Sequence, residues 1–245
     1  MFAVEERDAV RDRLLEMAKA DERVVGAAVV GSLSVGSGDR WSDLDLTFAV
    51  SDEVEVDQVL TDWTRQLVTD LDAVVLLDLP SGHTIYRVFL LPGCLQVDLS
   101  FTPAAWFAPR GPRFRLLFGR AGEASSPDPP DTRDLFGWAV VYARAARAYI
   151  ARGRWWQAEY CIAAVRDRTL ALACIRRNLE STYGRGYDEL PPAVLDPLRY
   201  SLVSSLEPGS LLEALKAAVD GLLRESVDLG EVAAKAGRSL REWLT

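Results

Sequence analysis

The chain has 245 residues and 27.0 kDa, with 49% hydrophobic and 26% charged residues, an ordinary globular composition that excludes a disordered chain. Of 28 Lys/Arg and 36 Asp/Glu, residues 1–118 hold 11 and 19 and residues 119–245 hold 17 and 17, so the net charge of −8 lies wholly in the N-terminal half. An acidic half of this kind argues against a nucleic-acid partner, which needs Lys and Arg on phosphates, and suits a divalent metal or a cationic small molecule. No apolar run approaches the ~18 residues of a membrane span, and the N-terminus lacks a basic-then-apolar leader, so a soluble, cytoplasmic protein without a membrane partner is expected. Cys94, Cys161 and Cys174 are odd in number and scattered, and His83 is the single histidine, which argues against a disulfide framework and nearly excludes a Cys/His zinc site.

In chain order, residues 4–20 predict an amphipathic helix with Val10, Leu14 and Met17 at helical spacing. Residues 24–30 form an unbroken apolar run that reads as a buried strand ending in Gly31-Ser32. A polar, Gly-rich stretch leads to a second strand over 43–50, a helix over 54–71 and a third strand over 73–79. Strands over 84–91 and 94–101 flank Pro92-Gly93, a hairpin signal. This half is therefore a mixed α/β sheet with helices on one face. Residues 119–132, rich in Gly, Ser, Pro and Asp, read as a linker. Beyond it no strand pattern occurs. Helices are expected over 134–152, 155–181, 193–205, 210–223 and 232–244, broken at Gly153, at 183–192, at Glu207-Pro208-Gly209 and near Gly230. The architecture expected is an α/β domain over 1–118, the linker, and an all-α helical bundle over 133–245.

Chemistry concentrates in Gly31-Ser32, ten further residues, and then Asp43-Leu44-Asp45-Leu46. Alternate strand residues share a face, so Asp43 and Asp45 project together, about 7 Å apart by strand rise, while Leu44 and Leu46 turn to the core. Two like charges so close call for a cation, and Mg²⁺, held by carboxylates and substrate phosphates, is the natural one. Asp98 is a third acid within an apolar strand; if that strand lies beside the Asp43 strand, three carboxylates converge. Gly31-Ser32 at a strand end offers backbone N–H groups and a hydroxyl to phosphate.

The pattern Val30-Gly31-Ser32, then Ser42-Asp43-Leu44-Asp45-Leu46, then Asp98, resembles the nucleotidyltransferase superfamily that includes DNA polymerase β. The likeness covers residues 24–101. The helical half, with RWWQAEYCIAAVRDRTLALA and then YGRGYDELPP, is similar in layout to the branch containing aminoglycoside and lincosamide nucleotidyltransferases. The resemblance implies a nucleoside triphosphate, ATP in the leading form, with its β- and γ-phosphates near Gly31 and Ser32. It implies Mg²⁺ on Asp43 and Asp45, and Asp98 as a further metal ligand or an aid to deprotonation. A small-molecule hydroxyl, on an aminoglycoside-like antibiotic in the leading class, would attack the α-phosphate, and pyrophosphate would leave. A helical-domain carboxylate serves as general base in such enzymes, and Glu159 is the candidate, with the acceptor between the halves. On the same helix Glu159, Ala163, Arg166 and Asp167 share a polar face, and Tyr160, Ile162, Val165, Leu172 and Ile175 supply the apolar surface. Lysine is nearly absent, so Arg40, Arg166 and Arg185 are the candidate phosphate contacts. Two other readings stay open: an antitoxin-type enzyme that AMPylates a protein partner, and a non-catalytic nucleotide-binding regulator.

Overall fold

A computed structural model describes residues 2–125 and 128–245. The chain divides into two compact units, Met1–Pro127 and Asp128–Thr245. The linker expected over 119–132 includes residues 126 and 127, which lie outside the described residues.

The first unit runs α1 (Val4–Ala20), β1 (Val24–Val30), a four-residue helical turn α2 (Gly31–Ser34), β2 (Leu44–Val50), α3 (Val56–Leu71), β3 (Val74–Ser81), β4 (Thr84–Leu91), β5 (Leu95–Pro103) and β6 (Phe114–Phe118). The six strands form one sheet in the order β3-β4-β5-β2-β1-β6. Only β2 and β5 are parallel; every other neighbouring pair is antiparallel. Leu44, Leu46 and Phe48 of β2 and Val97, Leu99 and Phe101 of β5 turn to one side of the sheet. There they join Leu14 and Ala18 of α1 and Val59, Leu60, Trp63 and Leu67 of α3 in the main core. Phe48, Trp63 and Phe101 pack as a ring triad with centroids 4.8, 5.3 and 5.3 Å apart, a geometry that adds to area burial. Helix α1 opens with Glu6 reaching back to accept from the Ala3 amide at 2.7 Å, which satisfies one of the donors a helix start leaves unpaired. Its neighbour Phe2 donates its amide to the carbonyl of Gly93 at 3.0 Å, pinning the chain's start beside the entry to β5.

One local departure from the sequence reading has a physical cause. Strand β6 was not expected: its five residues lie at the sheet edge between Gly111 and Gly119, with Arg115 among the apolar residues and no alternation. Gly119 lets it run close to β1, since its φ is +82° and a side chain there would collide with the backbone of Val25 and Gly26. Strand β3 forms as expected, but as an edge strand exposed along all eight residues.

The second unit holds α4 (Thr132–Ala151), α5 (Trp155–Ile175), α6 (Pro192–Leu198), α7 (Pro208–Glu225) and α8 (Gly230–Trp243). The Asp131 carboxylate caps α4 by accepting from the amides of Arg133 and Asp134. Ala139, Ala143 and Ala146 of α4 let α5 approach closely through Ala158, Ile162 and Val165, and Leu211, Leu215 and Leu222 of α7 complete this core. Helix α5 is shorter than expected, ending at Ile175, and α6 ends at Leu198. Pro208 and Gly209 open α7 rather than preceding it, because proline at the first helical position loses no hydrogen bond. Among the described residues no helix is long and apolar enough to cross a membrane.

Candidate functional site

The parallel pairing of β2 with β5 sets Asp45 directly opposite Asp98, with Leu44 opposite Val97 and Leu46 opposite Leu99. The leucines and Val97 fill the core, so strand alternation puts both carboxylates on the other side of the sheet. Asp43 immediately precedes β2 and adds the third. One carboxylate oxygen from each of Asp43, Asp45 and Asp98 lies within 4.8 Å of the others, and all three residues are half-buried.

Gly31 closes the site from the end of β1, which runs antiparallel to β2. Its φ is +66°, and the carboxylate of Asp45 occupies the space a side chain would take, with Asp45 Cγ 3.0 Å from the position of a built Cβ. Glycine is required twice here, by backbone conformation and by close approach. Ser32 follows in the α2 turn, half-buried, its carbonyl accepting from the amide and the hydroxyl of Ser37 at 3.2 Å each. The Ser34 hydroxyl donates to the Gly31 carbonyl at 2.7 Å.

A second tight turn, over 39–42, delivers the chain into Asp43. The Asp39 carboxylate accepts from the Trp41 amide at 2.8 Å and the Ser42 hydroxyl at 3.1 Å, and the Asp39 amide donates to that hydroxyl at 2.9 Å. The bond from the Trp41 amide, with those from Ser42, holds the Asp39 carboxyl below its ordinary range.

Asp98 differs from its partners. Burial pushes its carboxyl above the ordinary carboxylate range, and the neighbouring charge of Asp43 adds to the shift. Gln96 opposes it: its Nε2 donates to both Asp98 oxygens, at 3.0 and 3.1 Å. Gln96 stands two residues before Asp98 on the same strand face, so alternation alone carried the signal.

The donor set fits a hard, oxygen-seeking cation. Three carboxylates supply oxygen ligands only, the kind that Mg²⁺ takes, and one oxygen of each lies within 4.8 Å of the others.

The remaining predicted residues are placed as follows. Arg40 lies in the turn before Asp43, exposed, its guanidinium 4.4 Å from the Trp41 ring centroid. Glu159 is half-buried on α5. Arg166, on the same helix, donates from Nη1 to the Ser201 carbonyl at 3.3 Å and stands 3.7 Å from Asp167. Arg185 sits over the Tyr183 ring at 5.3 Å in the connection that follows α5. Tyr160, expected on the apolar surface of α5, is 64% exposed and instead meets Tyr142 of α4 edge-on at 6.1 Å. His83 is exposed in the β3–β4 turn and stacks on Trp106 at 4.2 Å. Cys161 and Cys174 are buried and Cys94 exposed, none in a disulfide.

No family model and no curated protein matches the chain. Among solved structures, the chain is similar to an aminoglycoside 6-adenyltransferase from Bacillus subtilis, with 11% identity and a TM-score of 0.38, over 100% of this chain and 98% of that one. It is also similar to a nucleotidyltransferase-like protein from Exiguobacterium sibiricum, with 16% identity and a TM-score of 0.36, over 92% of this chain and 79% of that one. At such identity and superposition neither likeness bears on this chain's chemistry, which the carboxylates and their neighbours must decide.

Proposed function

We propose that this chain is a nucleotidyltransferase that moves a nucleoside monophosphate, AMP from ATP in the leading form, onto a hydroxyl of a small molecule. The observation that carries the reading is the in-register opposition of Asp45 and Asp98, with Asp43 within 4.8 Å, beside a glycine that admits no side chain. Three acids brought together at half-burial are costly unless a cation joins them, and two or three carboxylates with open positions suit a metal that also holds substrate phosphates.

In this reading Asp43 and Asp45 hold Mg²⁺, and the turn at Gly31 and Ser32 receives the terminal phosphates. Bound there, the metal would draw negative charge from the phosphates and from both the attacking and leaving oxygens. The acceptor oxygen forms a bond to the α-phosphorus, the bond to the pyrophosphate oxygen breaks, and the hydroxyl proton passes to a carboxylate. Asp98, its proton affinity raised by burial, and Glu159 are the candidate acceptors of that proton. Arg40, Arg166 and Arg185 are the proposed phosphate contacts. The preferred acceptor is an aminoglycoside-like hydroxyl.

Incubation with α-labelled ATP, Mg²⁺ and a panel of aminoglycosides and lincosamides tests the reading. Label on a drug together with release of unlabelled pyrophosphate, both lost in Asp45→Asn at unchanged melting temperature, is the expected result. Label on protein instead would redirect the reading to a macromolecular acceptor, and full turnover by Asp45→Asn would refute the metal assignment.

A further inference from the structure

Helix α1 carries a charged residue in its buried stripe. Arg7 is 4% exposed and shares that stripe with Leu14 and Ala18. A guanidinium is retained in such a place only where it makes strong hydrogen bonds. Arg7 Nη1 donates to the carbonyl of Asp39 at 2.6 Å and to the carbonyl of Ser42 at 3.3 Å. Those two carbonyls are the two ends of the turn over 39–42, and the next residue is Asp43. The helix that supplies Arg7 is itself fixed near the sheet end that bears the carboxylates, by the bond from Phe2 to Gly93 just before β5.

Asp45 and Asp98 lie within strands and are placed by the sheet ladder. Asp43 precedes β2, outside the ladder, and needs another support. The internal bonds of the turn, through the Asp39 carboxylate and the Ser42 hydroxyl, fix its shape. Arg7 ties both of its ends to α1. We infer that Arg7 is a positioning residue: it clamps the 39–42 turn so that the Asp43 carboxylate meets those of Asp45 and Asp98 with its geometry already set. This inference rests on the metal reading of the site. Supports of this kind around a metal ligand typically change metal affinity about 10–100-fold.

The test is calorimetric titration of Mn²⁺ into the full chain and into Arg7→Met, Arg7→Lys, Asp43→Asn and the Arg7→Met/Asp43→Asn pair, well below each melting temperature. Arg7→Met, which keeps the apolar stem, should weaken Mn²⁺ binding about tenfold or more. Arg7→Lys, which keeps one donor group, should fall between it and wild type. The paired variant should bind no more weakly than Asp43→Asn alone. A purely structural arginine would lower the melting temperature and leave the affinity of the folded protein unmoved. Wild-type affinity in both Arg7 variants, or an equal loss on both Asp43 backgrounds, overturns the inference alone. Should Arg7→Met fail to fold, the affinity of Arg7→Lys decides. No Mn²⁺ binding by the wild-type chain overturns the metal reading and this inference with it.

Discussion

Gly31 is denied a side chain by the carboxylate it faces. With φ at +66° and Asp45 in the space of a Cβ, Gly31→Ala must both strain the backbone and push Asp45 aside. We expect a loss of about 1–3 kcal/mol in urea denaturation, together with a loss of metal-induced stabilisation that exceeds what the fold loss alone explains. Unchanged metal-induced stabilisation would show that the Gly31–Asp45 contact is incidental. The sequence made Asp43 and Asp45 legible, because an acid repeated at period two among leucines has one physical meaning, a shared face turned from the core. Gln96 was missed, although the same alternation puts it on the face of Asp98. Arg7 was harder to see: a helix-surface arginine and an arginine in a buried stripe look alike until the carbonyls it serves, 32 and 35 residues away, are in place.

Among the elements, the entry to β1 is fixed by charge. Asp21 accepts from the amide, Nε and Nη2 of Arg23 and from Trp63 Nε1, and Arg23 bonds onward to Asp62 of α3. The hydrogen bond from the Arg23 side chain leads in holding the Asp21 carboxyl at about 2 against an ordinary 3.8, with further bonds from Trp63 and the Arg23 amide. Because the folded value is depressed, the stabilisation is fully present above pH ~4 and is lost as pH falls toward 2. Discounted for solvent screening, it amounts to about 1 kcal/mol. Asp21→Asn should therefore be less stable than wild type by about that amount at pH 7, with the difference shrinking as urea melts are repeated down to pH 2–3. A difference independent of pH would place the effect in packing against Trp63 instead. Helix and strand identities were legible because apolar spacing is a local signal. The convergence of Asp98 stayed conditional, since strand order is decided by pairings far apart in sequence. Strand β6 went unseen for a related reason: as an edge it needs only one partner, so its residues carry no buried alternation. Tyr160 was misassigned to the apolar side of α5 because an aromatic ring reads as core, yet its polar end lets it sit exposed against Tyr142.

Across the whole molecule, the two units divide the labour of composition. The excess acid lies in the first, and three of those acids form the described carboxylate cluster. The second unit is a helical core around α5, with Glu159 and Arg166 half-buried along that helix. Division into a sheet unit and a helical unit was readable from the loss of strand patterning after the Gly/Pro-rich stretch. The chemistry was readable only to the point where three acids had to be neighbours, and the parallel β2–β5 pairing supplies that point. The most direct measurement is an anomalous-diffraction map of crystals grown with Mn²⁺ and a non-hydrolysable ATP analogue. The account predicts a manganese peak within coordination distance of Asp43 and Asp45, beside Asp98 and the analogue's phosphates. A map with nucleotide bound and no manganese at these carboxylates, or with manganese only elsewhere, would contradict it.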